Sequence, residues 1–254
     1  MTQQAGKTEG ERRIRAAVRT VMSSGVWLVV AVKLLLAGLL AYRIMPMMAD
    51  GASEAQQPSS ALLFAVLLIV YAYLMSGASR SFALGTATVS AQETVNRGKE
   101  VFSTFLWFAV KILFLALVLW IVLVRFTQAV TGGNESDIEA VIASVAPVVK
   151  GLAAIVPFAL AYWLPIVFVR KDFRIVPTMW SALQIIFRQL LHSGFLAFLL
   201  LLPLLVIWLV PATAPVVVTI ALSTLTQMMA WIAYVYCVEA VIDNPGWVRL
   251  TRSR

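Results

Sequence analysis

The sequence predicts an all-α, polytopic membrane protein with six transmembrane helices. Its 254 residues are 61% hydrophobic and 13% charged, with a mean hydropathy of +0.90, whereas soluble domains are about 45–50% apolar and about 25% charged. The apolar residues form blocks of the roughly 20 residues that a helix needs to cross about 30 Å of hydrocarbon. Basic residues also collect in alternate loops, as they do in chains that cross a membrane repeatedly. Lipid is therefore the expected solvent.

Residues 1–24 are predicted to form an N-terminal segment with an in-plane interfacial helix. Between residues 11 and 22, one helical face carries Ile14, Ala17, Val18, Val21 and Met22, and the other carries Arg12, Arg15 and Arg19. An apolar face opposite a basic face is typical of a helix that lies along the membrane surface.

The transmembrane domain is predicted to cover residues 25–243, followed by a basic tail at 244–254. Its apolar stretches are 25–44, 61–79, 101–124, 138–169, 194–210 and 216–238. The fourth is too long for one straight span and contains Pro147, Pro157 and Pro165, each of which removes a backbone donor. We therefore expect a short outer helix there, followed by a kinked span.

Two loops contain signals for a further helix. Ser90 and Glu93 have the spacing of a capping box, which predicts a helix that runs through Arg97 into the third span. Pro177 suits the first turn of a second helix, predicted over Thr178–Leu191.

The distribution of lysine and arginine predicts that both termini are cytoplasmic. Five lie in the N-terminal segment, three in the loop after the second span, four in the loop after the fourth, and three in the tail. The opposite side has only Arg43 and Arg125. Because basic loops stay in the cytoplasm, this asymmetry predicts the orientation of the chain. It also accounts for the net charge of +8, so we expect no nucleic acid as a partner.

A possible internal repeat links the first and third spans. Ala31–Leu36 matches Ala109–Phe114, with a lysine at the third position of each segment. One interpretation is a threefold hairpin repeat with a period of roughly 80–90 residues, and the other is a chance match between apolar sequences.

Two loops carry a family resemblance. The run Gly85–Phe102, and the segment Arg174–Phe187 with an apolar span after it, resemble the loops of six-helix bacterial inner-membrane proteins of unknown function. That group includes the membrane domain fused to some glycerophosphodiester phosphodiesterases. The resemblance runs from about Ser76 onward and implies an architecture. It carries no catalytic residue over to this chain.

No sequence pattern indicates enzyme chemistry. The chain lacks the spacing of a serine nucleophile elbow, an HExxH helix, a P-loop or a glycine-rich dinucleotide loop. Its one cysteine, Cys237, excludes an internal disulfide, and its one histidine, His192, excludes most paired haem and zinc ligands. We therefore predict no catalytic residues, no cofactor and no metal site.

The candidate interaction residues inside the membrane are Lys33, Lys111 and Gln227. Both lysines lie about 13–15 Å into their spans. No Asp or Glu of the chain lies inside a predicted span to neutralise them. They either snorkel toward the headgroups, or face a polar cavity, a ligand anion or an acid on another subunit. Gln227 belongs to a polar stripe of the sixth span, which continues through Ala230 to Tyr234, and is the alternative neighbour of the lysines. The stripe contains Thr219, Ser223, Thr226 and Gln227.

These observations favour a non-enzymatic membrane subunit that packs against, or stabilises, a larger membrane protein assembly. The expected partners are other membrane protein subunits and anionic lipid headgroups, which attract basic loops. The alternative is a permease subunit of a transport or export system, in which the two loop helices couple to a separate cytoplasmic ATPase.

Overall fold

The computed structural model describes residues 13–39, 57–86, 88–131, 161–188, 196 and 216–243, and each regular element in these ranges is a helix. Three of the helices are long and apolar enough to cross a membrane, and a bent pair makes a fourth if its two helices form one span. The chain therefore has the helices of a membrane-embedded protein.

The helices are named in chain order. They are α1 (Arg13–Met22, the last turn a 3-10 helix), α2 (Ser24–Leu39), α3 (Gln57–Ala83), α4 (Ala91–Thr131), α5 (Ala161–Arg170), α6 (Ile175–Arg188) and α7 (Val216–Asp243).

A 60° bend joins α1 to α2 at Ser23. The segment before α4 holds this bend in place. The backbone N–H of Gly25 donates to the carbonyl of Val89 at 2.9 Å, and the hydroxyls of Ser23 and Ser24 accept from Val89 and Ala91, both at 3.2 Å. These hydrogen bonds satisfy backbone N–H groups that have no partner within a helix, because they lie at the bend or at the start of a helix.

Helices α2, α3 and α4 approach one another most closely around Thr94. A Cβ atom built on Gly77 of α3 would lie 1.9 Å from the Thr94 carbonyl oxygen, and one on Gly25 of α2 would lie 2.2 Å from its Oγ1. The Tyr73 hydroxyl also donates to the Val95 carbonyl at 2.6 Å. Only residues without a side chain allow this backbone approach, which is a common basis of helix packing in lipid.

The turn between α5 and α6 is compact and polar. Lys171 has a φ of 54°, and the backbone N–H of Asp172 donates to the Val167 carbonyl at 3.2 Å, as expected where a helix ends in a left-handed residue. The Asp172 carboxylate accepts hydrogen bonds from the Arg174 guanidinium at 2.8–3.2 Å. These hydrogen bonds from Arg174 hold the pKa of Asp172 below its usual value.

Two apolar clusters form the core, and α7 contributes to both. The first joins α7 to α2 and α3, with Val26, Leu74 and Trp231 among its members. The second joins α7 to α5 and α6, with Ile166 and Ile185 among its members. The apolar window of α7 is accordingly 61% buried, whereas that of α4 is 6% buried. Helix α7 is therefore central in the described bundle, and α4 is peripheral.

Burial is concentrated at one end of the bundle, which we call the base and define by Ser23, Ala83, Ser90 and Arg170. In α3 the buried residues run from Leu74 to Ala83, and in α7 from Gln227 to Val241. Toward the opposite ends of α3, α4 and α7, large apolar side chains are exposed.

The predicted loop helices are confirmed. The Ser90 hydroxyl accepts from the Glu93 backbone N–H at 3.1 Å, and α4 runs from the next residue without interruption through Arg97 and the third predicted span. With 41 residues, α4 is about 62 Å long. Pro177 lies in the first turn of the second loop helix, as predicted, although this helix starts at Ile175 and its described part ends at Arg188.

The spans are confirmed in part. The second and sixth predicted spans lie within α3 and α7, which extend past them, and α2 covers most of the first. In the fourth stretch only α5 is described, and the fifth span and the basic tail fall outside the described residues except Leu196. The number of six spans and the repeat stay predictions.

The N-terminal helix differs from the two-faced helix that the sequence predicts. Ile14, Val18, Val21 and Met22 are exposed on one side, as expected for an interfacial face. Ala17, predicted on that apolar face, is instead buried against the second cluster. Arg13 is only 5% exposed and hydrogen-bonds to Tyr236 of α7. The helix therefore has a third face, which packs on the bundle.

Candidate intramembrane polar site

Lys33 lies on the core-facing side of α2. Helical spacing puts it on the same face as Val26, Val29 and Val30, which are 0–2% exposed. Lys33 itself is half-buried and makes no hydrogen bond or ion pair to another described residue. Lys33 therefore continues the buried stripe of α2.

Gln227 is buried in α7, and its side chain is hydrogen-bonded to the hydroxyl of Tyr71 in α3. Tyr71 lies on the stripe of α3 that contains Leu74 and Ala78, which belong to the first core cluster. In the rest of the predicted polar stripe, the Thr226 hydroxyl donates to the Leu222 carbonyl of its own helix at 2.8 Å. Gln227 therefore connects α7 to a second helix through a side-chain hydrogen bond.

The register of the helices brings Lys33 and Tyr71 to a similar depth. Gly25 and Gly77 both border Thr94, so they mark a common level near the base. Lys33 lies eight residues along α2 from Gly25, about 12 Å, and Tyr71 lies six residues along α3 from Gly77, about 9 Å. The difference is less than one helical turn, and side chains on α3 lean toward its N-terminus, which is toward Lys33. We call Lys33, Tyr71 and Gln227 the polar layer.

Lys111 has a different environment from Lys33. It is exposed, off the buried stripe of α4 that contains Val101 and Phe108. Its Nζ lies 5.7 Å from the centroid of the Trp107 ring, one turn toward the base. A cation–π contact contributes about 0.5–2 kcal/mol, whereas an ammonium at the centre of a bilayer costs about 2.5–3.5 kcal/mol even on the insertion scale. Trp107 therefore offsets only part of the cost.

Three arginines lie at the base, below the polar layer. Arg80 Nη1 donates to the Phe168 carbonyl at 2.5 Å, and Arg170 Nη1 donates to Ser181 Oγ at 3.2 Å. Arg13 bonds to Tyr236, as described above. Each guanidinium therefore links two helices at the base of the bundle.

Among the described residues, the one cysteine lies in the core. Cys237 is a free, fully buried thiol in the second core cluster, and His192 lies outside the described residues. No group of three or more histidine, cysteine or acidic side chains in the described ranges is arranged to hold a metal ion.

Comparisons of the chain with family models, with curated proteins and with solved structures found no match. The resemblance of its loops to those of six-helix inner-membrane proteins therefore stays an expectation from sequence.

Of the three site residues predicted from sequence, the structure places two in the polar layer and the third outside it. Lys33 and Gln227 are on core-facing stripes, whereas Lys111 faces outward. Tyr71, the hydrogen-bond partner of Gln227, was missed. The depth count that identified the lysines would also have found it, because Tyr71 lies nine residues, about 13 Å, from Arg80 at the basic end of its span.

Proposed function

We propose that this chain is a non-enzymatic subunit of a larger membrane protein assembly in the bacterial inner membrane, with both termini in the cytoplasm. The observation that supports the proposal most directly is Lys111, an ammonium on the exposed face of an apolar helix. Counted from the start of the third predicted span, Lys111 is ten residues, about 15 Å, into the membrane, and along α4 it lies 17 residues, about 25 Å, from Thr94.

The chain cannot supply the counter-charge itself. Its twelve acidic residues lie in loops, in terminal segments or at the ends of apolar stretches, and none lies near the middle of a span. An Asp or Glu on a neighbouring helix of another protein would neutralise Lys111 in a medium where a charge is otherwise costly. The polar contact would also fix the register between the two proteins.

The surroundings of Lys111 suit a helix–helix interface. Large, apolar and exposed side chains lie at helical spacing on one side of it. They include Trp107 (62% exposed), Phe114 (67%) and Val118 (41%). A face that combines aromatic anchors with one charge offers both packing area and specificity to a partner helix.

Site-specific photo-crosslinking in native membranes tests this proposal. A photoreactive amino acid at Phe114 should give an adduct with a distinct membrane protein. The matched control is the same photoreactive amino acid at Val176 in the first turn of α6, which is 70% exposed and also apolar, but lies near the base of the bundle. We expect no adduct, or a different one, from the control position.

Lysine variants complete the design. Lys111→Leu should abolish the adduct from position 114 while leaving the protein inserted, and Lys111→Arg should preserve it because the charge is retained. Recovery of the protein from native membranes as a lone monomer, with no adduct at either position, would contradict the proposal.

The alternative, a permease subunit coupled to a separate ATPase, is favoured by a different observation. Lys33 continues a buried stripe of α2 at a depth similar to that of Tyr71, and ionisable residues inside a membrane bundle often mark substrate pathways. An ATPase that copurifies with the chain and requires the α6 helix for binding would support this function over the first.

A further inference from the structure

Helix α6 packs on the bundle through a face that carries hydroxyl groups. Its buried side contains Thr178, Ser181 and Ile185. The Thr178 hydroxyl accepts a hydrogen bond from the Trp163 indole N–H at 2.7 Å, and the Ser181 hydroxyl accepts one from Arg170 Nη1 at 3.2 Å. A surface helix of a soluble protein has the opposite arrangement, with its apolar side inward and its polar side toward water. The polar side of α6 is therefore already occupied within the chain.

The outward face of α6 is apolar. Val176, Trp180 and Phe187 follow one another at intervals of four and seven residues, which places them on one side of the helix. They are 70%, 61% and 72% exposed. We call these three residues the α6 stripe. Exposed apolar side chains that line up in this way mark a surface that another protein or a membrane covers.

The α6 stripe is held close to a membrane helix. Helix α6 follows the turn at 171–174 after α5, which is a short apolar helix within the fourth predicted span. The hydrogen bonds to Trp163 and Arg170 attach α6 to this helix at two points. The stripe therefore lies beside the end of an apolar helix, where the lipid headgroups meet the hydrocarbon.

The charges around α6 are basic. The helix contains no Asp or Glu, and exposed cations flank it, with Lys171 and Arg174 before its start and Arg188 as its last described residue. The acid in the preceding turn, Asp172, is bound to Arg174 at 2.8 Å. Anionic headgroups attract exposed lysines and arginines near the membrane surface, and tryptophan is enriched at that level. Charge and side-chain type therefore both fit an anionic lipid surface.

Helix α1 has a similar exposed face at the same end of the bundle. Val18 is 57% exposed, and Arg15 and Arg19 are exposed beside it. Both helices pack on the second core cluster, α1 through Ala17 and α6 through Ile185. Two apolar faces with basic neighbours therefore lie around the same end of α7, as expected where the bundle meets one membrane surface.

We propose that the α6 stripe docks on the lipid surface at the base of the bundle, with anionic headgroups beside the flanking cations. The apolar side chains enter the boundary between headgroups and hydrocarbon, and the basic residues lie at the level of the phosphates. This inference goes beyond the assembly that Lys111 supports. It also gives α6 a different role from that of a coupling helix for an ATPase.

Photo-crosslinking of the full chain in native membranes tests the proposal. A photoreactive amino acid replaces Trp180, and mass spectrometry identifies the adduct as a phospholipid or as a protein. Phe187 is the second position, which keeps the test available if the first variant does not fold. The matched control is Asn96, which is also exposed near the base but lies in the polar first part of α4.

We expect phospholipid adducts at position 180 or 187 and none at 96. The purified chain in vesicles of equal parts phosphatidylcholine and phosphatidylglycerol then measures the charge preference. Adducts at position 180 should contain more phosphatidylglycerol than the vesicles do. Replacing Lys171 and Arg188 together by Gln should lower this enrichment about twofold or more, because two cations near the headgroups are lost.

Three results would overturn the proposal. The first is a protein adduct at position 180 or 187, from a partner or from a second copy of this chain, and an ATPase in that adduct would favour the coupling role. The second is an inserted protein that forms no lipid adduct at either position, or forms equal amounts at 96. The third is an adduct composition that matches the vesicles, or that the double Gln variant leaves unchanged, since the surface would then not select anionic lipid.

Discussion

Gly77→Ala should separate the two most closely packed helices of the bundle. The new Cβ would lie 1.9 Å from the Thr94 carbonyl oxygen and 2.8 Å from the Gly98 backbone nitrogen, and Cβ contacts under 3.0 Å are essentially never found. Both clashes are with backbone, so no side-chain rotation relieves them. Helices α3 and α4 must move apart by about 1 Å, which a close-packed interior does not absorb locally.

The magnitude follows from the cost of overpacking. Inserting a methyl group into a well-packed interface costs about 1–3 kcal/mol, and the separation also strains the 2.6 Å hydrogen bond from Tyr73 to Val95. For a chain of this size each kcal/mol lowers Tm by about 2–4 °C, so we expect a fall of about 2–12 °C in detergent. The assay is thermal unfolding monitored by intrinsic fluorescence.

Gly38→Ala is the matched control for this prediction. Gly38 also lies in a helix, but a Cβ there would have no neighbour within 4 Å. Its replacement should leave Tm unchanged or raise it slightly, because alanine favours a helix over glycine by about 0.5–1 kcal/mol. If Gly77→Ala and Gly38→Ala have the same Tm, the close approach at Thr94 does not contribute to stability as described.

Three further predictions concern local contacts and topology. Hydrogen bonds from Arg174 lower the pKa of Asp172, so the ionised Asp172 carboxylate should stabilise the fold at neutral pH. This stabilisation should be lost as the pH falls from about 4 through the folded pKa. Asp172→Asn should flatten this part of the profile of Tm against pH, and an unchanged profile would refute the assignment. Thr178→Val removes the hydroxyl that accepts a 2.7 Å hydrogen bond from the buried Trp163 indole N–H, so the free energy of unfolding should fall by about 1–3 kcal/mol. Thr178→Ser keeps the hydroxyl and should retain the wild-type Tm. An equal loss of Tm in both variants would mean that the methyl group, and not the hydrogen bond, stabilises the fold. Reporter fusions should show alternating sides of the membrane, and one inverted reporter would break the six-span topology at that hairpin. The outside positions are Gly51, Gly133 and Thr213, and the cytoplasmic positions are Arg97, Asp172 and Arg254.

The features predicted correctly from sequence are those with local causes. The start of α4 follows from the Ser90 hydroxyl and the N–H of Glu93, three residues apart, and the first turn of α6 accommodates Pro177. Span positions follow from apolar length alone. These signals require no knowledge of neighbouring helices, so a single sequence contains them.

Which side of each span faces the core could not be predicted, because lipid-facing and core-facing residues are both apolar. Lys33 and Lys111 occupy the same Ala-Val-Lys pattern, yet one lies on a buried stripe and the other on an exposed face. Arg13 was equally unpredictable, since its burial depends on Tyr236, more than two hundred residues away in the chain. Tertiary packing decides which face of a helix is buried, and the sequence match between the first and third spans does not reveal it.

The length and continuity of α4 have a mechanical consequence. From Thr94 to Ile112 one face of the helix is held by the bundle, with Val101 and Phe108 only 1% exposed. Beyond Ile112 the helix continues to Thr131, about 28 Å further, and its side chains at 113–122 are exposed among the described residues. A tilt of about 10° at the last packed turn would therefore move the far end of the helix sideways by about 5 Å.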